Sequence, residues 1–163
     1  MPREHSDIKM PPEVLAAFLC TDKRLILATN DEDGGNWADA VAYCFVDGRV
    51  YFRVPTDTRS YRNIAADPRV CCVVESKPAA SSYYDIKGAM LHGRAEPLGD
   101  GAIGAQVRAA LADIDDPVEP SLPHDGAVFS VGLDDSTSFD FSRIRYRYQD
   151  RPLTDDGIAT LTK

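Results

Sequence analysis

The chain has 163 residues, 44% of them hydrophobic and 27% charged, with a formal net charge of −8. This is enough for one domain with a real core, and the acidic balance argues against nucleic acid or an anionic membrane surface as the main partner. No apolar run approaches the roughly 20 residues that span a bilayer, and the polar residues 1–7 contain no apolar signal-peptide core, so the expected location is the cytoplasm.

Pro11–Cys20 reads as a helix: proline is tolerated in a first turn, and Val14, Leu15, Phe18 and Leu19 form one apolar face. Arg24–Thr29 is a short strand. Asn30–Asn36 is a turn of residues that accept unusual backbone angles. Trp37–Phe45 and Arg49–Val54 alternate as strands do. They are joined by Val46-Asp47-Gly48, a strong hairpin signal because Gly tolerates the positive φ of a tight turn.

Thr58 is placed to cap a helix over 59–66, which Asp67-Pro68 closes, since the residue before proline avoids the α region. Here a strand gives way to a helix among hydroxyls and the guanidinium groups of Arg53, Arg59 and Arg62. Such a turn is a natural anion site and points to a phosphorylated ligand on a β scaffold. Val70–Val74 is an apolar, β-branched run, read as a central strand, and residues 76–82 form a polar loop.

Residues 83–97 read as one long strand in which Gly88 and Gly93 mark bulges or close backbone approaches. A second amphipathic helix runs from Gly101 to Ile114 through Ile103, Val107, Leu111 and Ile114. An acidic loop at 115–125 follows, then strands over 127–133 and 137–148, and a loosely attached tail over 149–163. The domain itself spans 1–148. About seven hairpin-linked strands with two or three short helices describe an antiparallel barrel. Cys20, Cys44, Cys71 and Cys72 lie in apolar segments without Cys-x-x-Cys spacing and are expected to be buried free thiols, with Cys71 and Cys72 on opposite faces of their strand.

Four segments, in order, resemble the FMN-binding split barrel typified by pyridoxamine 5′-phosphate oxidase, over about residues 11–147. They are Leu25–Thr29 with its Asp/Gly turn; Val50–Arg53 leading to Thr58-Arg59-Ser60, which is similar to the family's Ser-Arg-Lys phosphate turn; Asn63–Val70, which is similar to a recurrent Asn-Leu-x-x-Asp-Pro-Arg-Val ending; and Ile86–Glu96 with its Gly-x-Ala-Glu. The resemblance implies a mainly β fold, an antiparallel six- to seven-stranded split barrel, and a homodimer with flavin at the subunit interface.

It also implies that FMN phosphate sits at Thr58, Arg59 and Ser60 with Arg53 in reach. The ring would lie along Asp39, Ala40, Val41, Ala42 and Tyr43, and Lys87 would approach from the partner. Ser60 stands where the family carries lysine, which weakens a phosphate site. The implied activity is flavin-dependent oxidoreduction of a small organic substrate. The deazaflavin coenzyme F-420 on the same fold, or a non-catalytic flavin- or haem-binding dimeric module, stands as the alternative.

Among the aromatics, Trp37, Tyr43 and Tyr84 are candidates to stack on a ring, although strand aromatics are more often core. His92 stands apart from other metal-ligand types, His5 and His124 sit in loops, and no metal site is expected.

Overall fold

The computed structural model describes residues 8–76, 83–114 and 126–144. The polar loop at 77–82, the acidic loop at 115–125, positions 145–148 of the last expected strand, the tail at 149–163, and His5 and His124 lie outside the described residues.

Among the described residues, three α-helices and eight strands follow one another as α1 (Pro12–Leu19), β1 (Arg24–Asn30), β2 (Asn36–Val46), β3 (Arg49–Val54), α2 (Arg59–Ala66), β4 (Arg69–Ser76), β5 (Lys87–Arg94), β6 (Glu96–Pro97), α3 (Ala102–Ala112), β7 (Ala127–Val131) and β8 (Ser136–Asp140). All strand pairs are antiparallel, in the order β6-β7-β3-β2-β1-β4-β5-β8. The expected split barrel is the fold found, with mainly β structure.

The eleven residues of β2 hold the two halves together. Asn36–Ala42 pair with β1, and Tyr43–Val46 pair with β3. The β2–β3 hairpin turns on Asp47 and Gly48 at φ of 48° and 75°, the positive-φ pair that its sequence predicts. The sheet then curls until β5 meets β7. A Cβ on Gly93 would lie 2.8 Å from the Val131 Cγ2, so a side chain there would force Val131 to shift.

The curl encloses Leu25, Leu27, Val41, Tyr43, Phe52, Cys72, Val74 and Leu91. Burying each large side chain of this set contributes about 1.5–3 kcal/mol. Helix α1 plugs one opening with Leu15, Phe18 and Leu19, and α2 adds Ile64. Val14, expected on the apolar face of α1, is exposed instead. Helix α3 covers a second cluster of Val46, Tyr51, Val107 and Leu111 on the outside of β3, with Ile114 packed at its edge and Ile103 left exposed.

The expected long strand over 83–97 is three pieces. A 3-10 turn occupies Tyr83–Asp85, and the chain leaves the β4 side at Ala95, whose N–H donates to the Pro68 carbonyl (2.7 Å). It then joins the opposite half as β6, which pairs with β7. That change of partner is why eight strands form where about seven were expected.

The cysteines also differ from expectation. Cys72 is buried, Cys44 and Cys71 are half-buried, and Cys20 at the end of α1 is exposed. Cys71 and Cys72 do lie on opposite faces of β4. Among the described residues no helix is long and apolar enough to cross a membrane.

Candidate functional site

The inward-facing phase of β1 and β2 runs out at one end of the barrel, and there α2 begins. Helix α2 starts because the Thr58 oxygen accepts from the Tyr61 N–H (3.3 Å), which satisfies one donor of the first turn. The same hydroxyl donates to the Pro55 carbonyl (2.7 Å). The helix presents Arg59, Ser60 and Asn63 to Thr29, Asp31, Trp37 and Asp39 of the barrel end, and these seven side chains form one network.

The Arg59 guanidinium grips Asp31 with two bonds, Nε to Oδ1 at 2.9 Å and Nη2 to Oδ2 at 2.7 Å, while its Cζ lies over the Trp37 ring, 4.6 Å from the ring centroid. This is the bidentate carboxylate geometry that lysine cannot reproduce. Asn63, 4% exposed, donates to Thr29 Oγ1 (3.0 Å) and to Asp31 Oδ1 (2.7 Å). Asp39 accepts from the fully buried Ser60 hydroxyl (2.5 Å) and from Trp37 Nε1 (2.9 Å). The Asp31 carboxylate is itself nearly covered. The turn thus holds two carboxylates of its own against the donors that a bound anion would use.

On the opposite face of β2, alternation turns Ala38, Ala40 and Ala42 outward. Ala40 stands in register with Ile26, Ile26 with Val73, and Val73 with Met90. Ala38, Ala28, Cys71 and His92 make the next row. Ile26 is 46% exposed, so an apolar band about 14 Å wide crosses four strands and lies open. Beside it, a shallow groove of about 270 Å³ is lined by Asn30, Asn36, Arg69, Cys71 and His92, among others. At its rim, hydrogen bonds from the Arg69 side chain and backbone and from Asn30 hold Asp67 well below the usual carboxylate range. Burial pushes the Cys71 thiol up.

Of the site residues expected from sequence, the structure brings together Asp39, Thr58, Arg59 and Ser60. Ala40 and Ala42 lie on the open face of the same strand. Val41 and Tyr43 point into the core. Tyr43 is fully buried, its hydroxyl donates to the Leu19 carbonyl (2.9 Å), and burial raises its pKa, so only their backbone faces outward. Arg53 lies on β3 opposite Val128, leaning on the start of β7 where a Cβ on Gly126 would come within 2.8 Å of its Cγ.

Lys87 sits 3.4 Å from Asp140. It pairs with Ser76, six residues along β4 from the Val70 that faces Thr29, or about 20 Å away. Within one protomer it does not reach the turn. Asp31 and Asn63 were not singled out from sequence. Asp31 read only as a turn former, and the signal for it was charge complementarity: an acidic turn at 31–33 in the same chain as the arginines of 59 and 62. Among the described residues, no cluster of three or more metal-ligating side chains occurs.

The residues present fit a flavin in part. The small outward side chains of β2 suit a flat conjugated ring, which can approach the backbone closely there. The turn suits a phosphate once Arg59 exchanges Asp31 for it, with the first N–H groups of α2 as additional donors.

No curated protein matches the chain. Among solved structures it is similar to the conserved hypothetical protein Rv2991 from Mycobacterium tuberculosis, with 20% identity over 85% of this chain and 90% of that one at a TM-score of 0.70. It is similar to an FAD-binding protein from Mesorhizobium loti (16% identity, 80% and 93% covered, TM-score 0.63). It is also similar to HutZ, the haem storage protein of Vibrio cholerae (17% identity, 81% and 97% covered, TM-score 0.61). These likenesses concern the fold. A family model, pyridoxamine 5′-phosphate oxidase, matches residues 11–132, most of the chain, and with the split barrel and its strand-to-helix turn this places the protein in the pyridoxamine 5′-phosphate oxidase-like family.

Proposed function

We propose that the protein is a homodimeric, flavin-dependent oxidoreductase acting on a small organic substrate, and that it works in the cytoplasm. The observation that carries this reading is the open apolar band centred on Ile26, beside the alanine-lined strand β2. A row of Ala40, Ile26, Val73 and Met90 open to water is a cost that a second copy, docked face to face, removes. A ring lying on Ala40 and Ala42 would then be covered by the partner, and Lys87 of the partner subunit would approach it.

Bound FMN would supply two-electron transfer, and the chain's part is to hold and shield it. Ala40 and Ala42 leave room for the ring. The second copy excludes water. Arg59 and the N-terminus of α2 bind the phosphate, with Ser60 contributing a hydroxyl but no charge. The F-420 deazaflavin would use the same platform. Arg59 and Arg62 at the entrance favour an anionic tail, so it remains the second cofactor to test. Haem enters through likeness to the haem storage protein and is the third ligand to test.

The test is to titrate FMN and F-420 into the purified protein while recording flavin fluorescence and the visible spectrum, with sedimentation equilibrium on the same sample. The expected result is a dimer at micromolar concentration that quenches one of the two fluorophores at one site per protomer. A monomer that quenches neither, or a Soret band after haem addition with no flavin binding, defeats this reading.

A further inference from the structure

The network at the barrel end bears on which flavin the site prefers. Arg59 commits Nε and Nη2, one edge of its guanidinium, to Asp31. Ser60 commits its only hydrogen to Asp39, and the Thr58 hydroxyl donates to Pro55. Two of the five N–H donors of Arg59 and the hydroxyl hydrogens of Ser60 and Thr58 are thus engaged by the chain's own acceptors, two of which are carboxylates. Asp31 is not a loose surface acid that could swing away. Its side chain is 8% exposed and pinned by Asn63 from a buried position.

We propose that Asp31 is an internal occupant of the phosphate turn and sets the protein's preference between phosphorylated and unphosphorylated flavins. This rests on the flavin reading above. An incoming phosphate dianion must draw Arg59 off Asp31, leaving a covered carboxylate with Asn63 as its remaining described donor, or share Arg59 while facing that negative charge. Both routes weaken the gain from the phosphate. A covered charge that loses its partner is far more costly than an exposed one.

A flavin without the phosphate meets no such opposition, because the ring platform on Ala40 and Ala42 lies on the other face of β2. The ligand class that the site discriminates least against is an unphosphorylated flavin, or one whose phosphate is a singly charged diester. Ser60 in place of lysine acts in the same direction, since the ammonium that would outweigh Asp31 is missing.

The experiment compares FMN with riboflavin by fluorescence titration of the full chain, as wild type and as Asp31→Asn. The asparagine keeps the shape and the acceptor for Asn63 while removing the charge and freeing Arg59. In wild type the two flavins should bind with similar affinity. In Asp31→Asn, FMN should tighten roughly tenfold, the equivalent of about 1.4 kcal/mol, with riboflavin within about twofold of wild type.

Riboflavin binding with unchanged FMN affinity, or an equal gain for both flavins, overturns the role of Asp31 and leaves the flavin reading standing. Binding of neither flavin to either protein overturns the flavin reading and this inference with it. Should Asp31→Asn fail to fold, as judged by its melting curve, Asp31→Ser removes the same charge and must show the same selective gain for FMN.

Discussion

Asn63→Ala should destabilise the protein by about 2–4 kcal/mol, although it removes no apolar core residue. Asn63 is buried and its amide bridges α2 to β1, donating to Thr29 at 3.0 Å and to the Asp31 carboxylate at 2.7 Å. The bond to a neutral hydroxyl contributes about 0.5–1.5 kcal/mol and the bond to a charged group about 1.5–3 kcal/mol. Alanine returns about half a kcal/mol through its better helix propensity. At about 2–4 °C per kcal/mol for a chain of this size, Tm should fall by roughly 5–15 °C.

Urea denaturation should show the midpoint moving with the m-value unchanged, which identifies a loss of native contacts. A double-mutant cycle with Asp31→Ala should give coupling of about 1 kcal/mol or more, since the two side chains share a bond. A loss below about 0.5 kcal/mol, or strictly additive effects, would refute the claim that this network ties α2 to the barrel.

Other outcomes follow from the same geometry. Gly88→Ala should cost about 1–3 kcal/mol by urea denaturation, because a Cβ there overlaps the edge of the Phe139 ring across the β5–β8 pair. Asp67→Asn should lower Tm near neutral pH. The depressed pKa of Asp67 stabilises the fold above the unfolded value of about 3.9 and ceases to do so as pH falls, so the two melting curves should converge in acid, and a constant gap down to pH 2 would contradict this. At pH 8, exposed Cys20 should react first with a thiol reagent. Cys44, whose thiol burial pushes up to about 11, should lag, and Cys72 should react only on unfolding; equal rates for all four would contradict the structure.

Local chemistry made much of the fold legible in the sequence. The Asp47-Gly48 hairpin, the Thr58 cap and the Asp67-Pro68 stop are each decided within a few residues, and β3 and α2 occur at the residues their patterns predict. What the sequence did not reveal depends on distant partners. The break at Ala95 arises because its N–H finds Pro68, 27 positions earlier, and nothing in the run itself signals a change of sheet partner. The exposure of Val14, Ile103 and Cys20 reflects how far each helix face extends beyond the surface it covers.

At the site, the turn Thr58-Arg59-Ser60 was visible as an anion cradle, and the absence of lysine was visible too. That Asp31 and Asp39 fill the cradle was not. Those contacts close over 28 and 21 positions and require the ends of β1 and β2 to meet α2 at the barrel mouth.

The most direct test of the proposed flavin site is hydrogen–deuterium exchange on the purified protein with and without saturating FMN. Slower exchange should concentrate in peptides covering 36–46 and 55–62, the platform strand and the turn, with α3 unchanged. Protection confined to α3 and β6, or none over β2 and the turn while FMN is bound, would contradict the placement of the cofactor and the function built on it.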